Sequence, residues 1–129
     1  MTKKIIIILA IVILGLVAFV VLSKPATSTQ KSSDSNVTLE NGVQIVHMSE
    51  SAKGYTPNSF TITKGIPVKW EIDSSTDRTC ANVVLVPEYK IQAFLKPGKN
   101  VVNFTPQKIG VTAFTCSMGM YRGVFNVVE

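Results

Sequence analysis

The chain has 129 residues, enough for one domain of ordinary size. Hydrophobic residues make up 46% and charged residues 16%, a balance unlike that of a disordered polypeptide. The net charge of +5 divides into +3 over residues 1–36 and +2 over the remainder, with no basic stripe and no interleaving of aromatic and basic residues, so no nucleic-acid partner is indicated.

In chain order, Lys3 and Lys4 precede an unbroken apolar run from Ile5 to Leu22. As a helix its 18 residues would span about 27 Å, close to the hydrocarbon core of a bilayer. The apolar stretch of a secretory signal peptide is shorter and ends in an A-x-A-like site; here the run is longer and no such site follows. Residues 1–23 are therefore expected to be an uncleaved signal anchor, one N-terminal transmembrane helix in contact with the membrane through residues 5–22. The leading lysines place the rest of the chain on the extracytoplasmic side, periplasmic or at the cell surface. Residues 24–42 are rich in Ser and Thr and poor in apolar residues, and are expected to be a flexible linker. The glycosylation-type triplets at Asn36 and Asn103 are short, common patterns that matter only in a host that glycosylates.

The globular domain is expected over residues 43–129. Short β-branched and aromatic runs alternate with turn residues, the pattern of an all-β domain. Strands are predicted over 43–49, 59–63, 67–73, 82–86, 100–104, 111–115 and 122–128, which together suggest a β-sandwich. In the third of these, Val68, Trp70 and Ile72 alternate with Lys69, Glu71 and Asp73, so one face is buried and Trp70 belongs to the core. Residues 87–96 fit no strand cleanly and suggest a short helical turn. A domain this small buries only about 60–65% of its unfolded surface, so a covalent or metal cross-link would help it.

Sulfur is concentrated at one place. Of the two cysteines and four methionines, Cys116, Met118 and Met120 fall within five residues, with Gly119 allowing a tight bend. Two cysteines outside the cytoplasm often form a disulfide, and closing the 37-residue loop from Cys80 to Cys116 would stabilise the fold by about 4 kcal/mol. Methionines often serve only to fill a core. Thiolate and thioether together also make a soft ligand set that favours Cu(I), whereas zinc prefers Cys, His and carboxylate.

Residues 43–129 resemble the cupredoxins, small extracytoplasmic copper-binding Greek-key β-sandwiches or barrels. The segment "CANVVLVP" (80–87) is similar to the family's first ligand element, with Cys80 where a histidine is expected and one extra residue before Asn82. The segment "FTCSMGMYRGVFNVV" (114–128) is similar to the ligand loop, with Cys116, Met120 and Gly123 opening the last strand. Residues 54–72 resemble the early strands. The family's electron-transfer members use two His, one Cys and an axial Met. His47, the single histidine, lies in the first predicted strand and outside both ligand segments, so a two-histidine centre cannot be assembled from one chain. The resemblance therefore implies a site of Cys80, Cys116 and one or both of Met118 and Met120, holding one Cu(I) per chain. It further implies that Asn82 ties the Cys80 segment to the Cys116 loop through Ser117. Tyr121 and Arg122 would cap the last strand, and Tyr55 and Pro57 would be loop packing.

The expected function is binding, buffering or delivery of copper at a membrane, with a copper-transport or copper-enzyme protein as partner. Two alternatives stand beside it: a metal-free sandwich stapled by Cys80–Cys116 that serves as an interaction module, and an electron-transfer cupredoxin. The chain carries no Ser–His–Asp set, no HExxH, no phosphate loop and no paired acids in one motif, so an enzyme is not expected.

Overall fold

Alternation of apolar and polar residues decides the architecture. In a computed structural model, residues 2–7, 34–75 and 79–129 are described. The chain divides into two units, Met1–Gln30 and Lys31–Glu129. In the first, residues 2–7 are helical. The rest of the expected membrane span, residues 8–22, lies outside the described residues. Among the described residues no helix is long and apolar enough to cross a membrane.

The second unit is a sandwich of two five-stranded sheets. Its strands are β1 (Val37–Glu40), β2 (Val43–Ser51), β3 (Gly54–Thr56), β4 (Ser59–Thr63), β5 (Val68–Ser74), β6 (Val83–Val86), β7 (Ile91–Phe94), β8 (Gly98–Phe104), β9 (Gly110–Cys116) and β10 (Arg122–Val128). The first sheet runs β1-β2-β5-β8, with β3 also on β2; the second runs β4-β10-β9-β6-β7. Strand β2 meets β5 in parallel and β10 meets β4 in parallel, the other pairs being antiparallel. The far edge of β2 is covered in two pieces. Strand β1 pairs with Val43–Val46 and β3 with Ser49–Ser51, so the long strand leaves little ladder unpaired at this edge.

The inward residues form one aromatic core. Trp70 meets Phe114 and Phe125 with ring centroids 4.9 and 5.0 Å apart, in edge-on contacts favoured by aromatic quadrupoles. Phe60 joins them from β4. Gly123 on β10 is the register partner of Phe114 on β9. A Cβ at Gly123 would stand 2.1 Å from Phe114 Cζ, so only glycine lets that ring cross the strand.

All seven predicted strands are present, and three more accompany them. Strand β1 falls within the stretch expected to be linker: residues 34–42 belong to the folded unit, with Val37 buried. The flexible-linker reading of 24–42 therefore does not extend to its end. The cause is the free edge of β2, which gives even a four-residue strand a ladder to join. Residues 87–96 hold both a 3-10 turn, Pro87–Tyr89, and the strand β7. Strand β3 has three residues, too short for a visible alternation.

Candidate metal site

Both cysteines lie at the same end of the second sheet. Cys116 ends β9 and is 1% exposed. Cys80 opens a 3-10 turn, Cys80–Asn82, which leads into β6. Strand β6 pairs with β9 so that Val84 stands opposite Cys116, and the turn just before β6 brings Cys80 alongside. The two Sγ atoms are 3.6 Å apart, within reach of an S–H···S contact, and both thiols are free.

The loop after Cys116 is closed by backbone hydrogen bonds. Cys116 N–H donates to Tyr121 O at 3.0 Å, and Gly119 N–H donates to Cys116 O at 3.0 Å. Gly119 has φ +70, a left-handed conformation that side chains with a Cβ resist. Arg122 Nε donates to Gly119 O at 3.1 Å and braces the loop from below. This geometry turns Met118 and Met120 outward, 71% and 65% exposed. Neither fills the core, which removes the packing account of the methionine pair.

Tyr121 N–H donates to Cys116 Sγ at 3.4 Å. Burial pushes the Cys116 thiol up, but this donor, the Cys80 thiol and the backbone of Met118 and Met120 favour the thiolate and hold it below the ordinary thiol range. Burial and the neighbouring Cys116 push the Cys80 thiol up. The backbone N–H aimed at Cys116 Sγ favours negative charge on that sulfur, the one enclosed by the loop.

Asn82 ends the 3-10 turn; its N–H donates to Thr79 O at 3.2 Å and its carbonyl accepts Leu95 N–H at 2.7 Å. Ser117 is exposed in the loop. His47 is on β2, exposed, with Nδ1 3.4 Å from Glu71 Oε2. It sits on the outward face of the first sheet and is no part of the cysteine cluster. Tyr55 is buried rather than simple loop packing, and its hydroxyl donates to Ala81 O at 3.0 Å. Burial, together with the nearby Cys116, Glu50 and Cys80, holds that hydroxyl far above the ordinary phenol range, so it remains a donor.

Glu50 and its partner Thr79, both beside the site, were not singled out from the sequence. Glu50 is 1% exposed at the end of β2 and accepts the hydroxyl of Thr79, the residue before Cys80, at 2.9 Å. The signal was there in principle: Gln44, Val46 and Met48 point inward, and the same alternation carries Glu50 inward.

The family described as "Cupredoxin-like domain" matches residues 10–127, and the chain belongs to that family. Among solved structures, the chain is similar to the metal-binding domain of the Streptococcus pneumoniae D39 Cu(I)-exporting P-type ATPase CopA, crystallised with Cu(I). Identity is 34% and the TM-score 0.67, over 72% of this chain and 93% of that one. A copper-binding protein solved by NMR in the apo form is 29% identical, with TM-score 0.65, over 71% of this chain and 94% of that one. An amicyanin variant is 12% identical, with TM-score 0.51 over 70% of this chain and 86% of that one, and shares the fold alone. No curated protein matches the sequence.

Proposed function

We propose that the chain is a membrane-anchored, extracytoplasmic protein that binds Cu(I) at Cys80 and Cys116, with Met118, Met120 or both completing the site. The observation that carries this reading is the 3.6 Å separation of two free sulfurs beside a loop that presents two exposed methionines. Metal–sulfur bonds of about 2.3 Å span such a gap without rearrangement. The donor set fits a soft monovalent ion and offers nothing that would favour Cu(II). A 34% identical relative that was crystallised with Cu(I) supports the choice of metal.

The chain's own groups divide the work. Cys116, enclosed and shifted toward the thiolate, holds the ion. Cys80, half-buried at the turn, is the second thiolate. Met118 and Met120, exposed and uncharged, accept or release the ion at the surface at low cost. Asn82 and Ser117 are the proposed brace between the two segments. Binding, buffering or delivery to a copper-transport or copper-enzyme partner follows from ligand exchange, with no redox cycling and no catalysis. Electron transfer is disfavoured because His47, the single histidine, lies away from the sulfurs.

The test is a Cu(I) competition against a chromophoric chelator, with the full chain reduced and anaerobic in detergent micelles. One tightly bound copper per chain, lost in Cys116→Ser, is the expected result. No binding by the reduced wild type would leave Cys80 and Cys116 as a structural pair and favour the interaction-module reading.

A further inference from the structure

The hairpin of β2 and β3 touches both halves of the sulfur site. Glu50 and Tyr55 are register partners across it. The Glu50 carboxylate accepts the Ser74 hydroxyl through Oε2 and the Thr79 hydroxyl through Oε1, the latter at 2.9 Å. The Tyr55 hydroxyl donates to Ala81 O at 3.0 Å. Thr79 and Ala81 are the two neighbours of Cys80, so one cross-strand pair grips the chain on either side of that cysteine. At the turn of the same hairpin, Ala52 O accepts the Tyr121 hydroxyl at 2.8 Å. The Tyr121 ring lies against Gly54, where an added Cβ would stand 2.7 Å from Cδ1. Tyr121 in turn donates its N–H to Cys116 Sγ.

Burying a carboxylate at 1% exposure is costly unless it is hydrogen-bonded, and here both oxygens are spent on hydroxyls at the two ends of the crossing from β5 to Cys80. Apolar side chains would close the sandwich more cheaply. We propose that Glu50 and Tyr55 are positioning residues for Cys80: through Thr79 and Ala81 they hold its sulfur against Cys116, so that the pair stands at ligand separation before an ion arrives. The metal-binding consequence rests on the proposed function; the thiol placement does not.

The experiment therefore reads the placement twice. The full chain in detergent micelles is equilibrated with glutathione, where one dithiol and one oxidised glutathione give one intramolecular disulfide and two reduced glutathione molecules. The equilibrium constant is the effective concentration of one cysteine at the other, and global stability does not enter while the reduced chain stays folded. Cu(I) affinity is measured on the same samples. Thr79→Val, which keeps the shape and removes the hydroxyl, and Tyr55→Phe are each expected to lower the effective concentration by about tenfold, the size such supporting bonds have at metal sites. Thr79→Ser should restore it to within about twofold. Should Thr79→Val fail to fold, Tyr55→Phe still decides for its half of the grip, and Glu50→Gln for the other. Effective concentrations within about twofold of wild type in the folded variants would overturn the proposal, whatever the copper result. A drop in effective concentration with no copper bound by wild type would keep the positioning role and remove the copper reading.

Discussion

Tyr121 closes the Cys116 loop in two directions at once: its carbonyl accepts the Cys116 N–H at 3.0 Å, and its own N–H donates to Cys116 Sγ at 3.4 Å. The four residues between them are thereby forced into a tight protruding turn. Met118 and Met120 lie on that turn, outside the core. Replacing both by leucine should weaken Cu(I) binding by at least about tenfold, about 1.4 kcal/mol, while the melting temperature of the copper-free protein stays unchanged. Competition titration and thermal unfolding of the same sample check the two halves. A fall in melting temperature as large as the loss of affinity would mean that the methionines are structural.

The same two sulfurs also permit a reaction that involves no metal. The Cys80 and Cys116 sulfurs, 3.6 Å apart, need approach each other by only about 1.5 Å to form a disulfide. Oxidised glutathione should convert the apo protein to the disulfide and release two reduced glutathione molecules. The oxidised protein should bind no Cu(I), since both thiolates are consumed, and should unfold with about 4 kcal/mol more stability in the chain-entropy account. Mass spectrometry, chelator competition and urea unfolding measure the three consequences. Tight copper binding by the oxidised protein would refute the assignment of the thiolates as ligands.

Gly123 controls the site from behind. Its missing Cβ makes room for Phe114, two residues before Cys116 on the same strand. Gly123→Ala should overpack this point and cost about 1–3 kcal/mol in urea unfolding. Gly119→Ala should cost about 1 kcal/mol for a different reason, the left-handed backbone at φ +70. The larger effect belongs to the buried glycine, and a reversal of that order would show that the loop, not the ring, limits stability.

What could be read from the sequence follows the range of the forces involved. Strands whose apolar residues alternate over five or more positions were visible, because the alternation is local. Strand β1 was hidden in a polar stretch and is recruited only by the edge of β2, and β7 follows a proline-led turn that masks it. Cys116, Met118 and Met120 could be read as one cluster from their spacing. That Cys80 meets Cys116, 36 positions away, depends on the pairing of β6 with β9; the cysteine count raised the pair as a disulfide, and the family resemblance raised it as a shared ligand set. The grip of Glu50 on Thr79 links β2 to the segment just before Cys80, 29 positions away, and had no local signature beyond one inward-facing acid.

Glu71 shows how an outward residue can become nearly buried. Lys69 donates to Oε1 at 2.7 Å and Lys99 to Oε2 at 3.2 Å, with His47 Nδ1 3.4 Å from the same Oε2. The two ammonium groups hold the Glu71 carboxyl below the ordinary carboxylate range. A carboxylate whose pKa is lowered by folding adds stability above its unfolded pKa and loses it as the pH falls through the folded one. Glu71→Gln should therefore destabilise the protein near neutral pH, by no more than about 1 kcal/mol because both lysines are solvent-exposed. The difference between wild type and variant should shrink as the pH drops through the carboxylate range and should also shrink in high salt. Urea unfolding at neutral and acidic pH measures it. A difference that persisted in acid would place the contribution of Glu71 in packing against its lysine stems rather than in its charge.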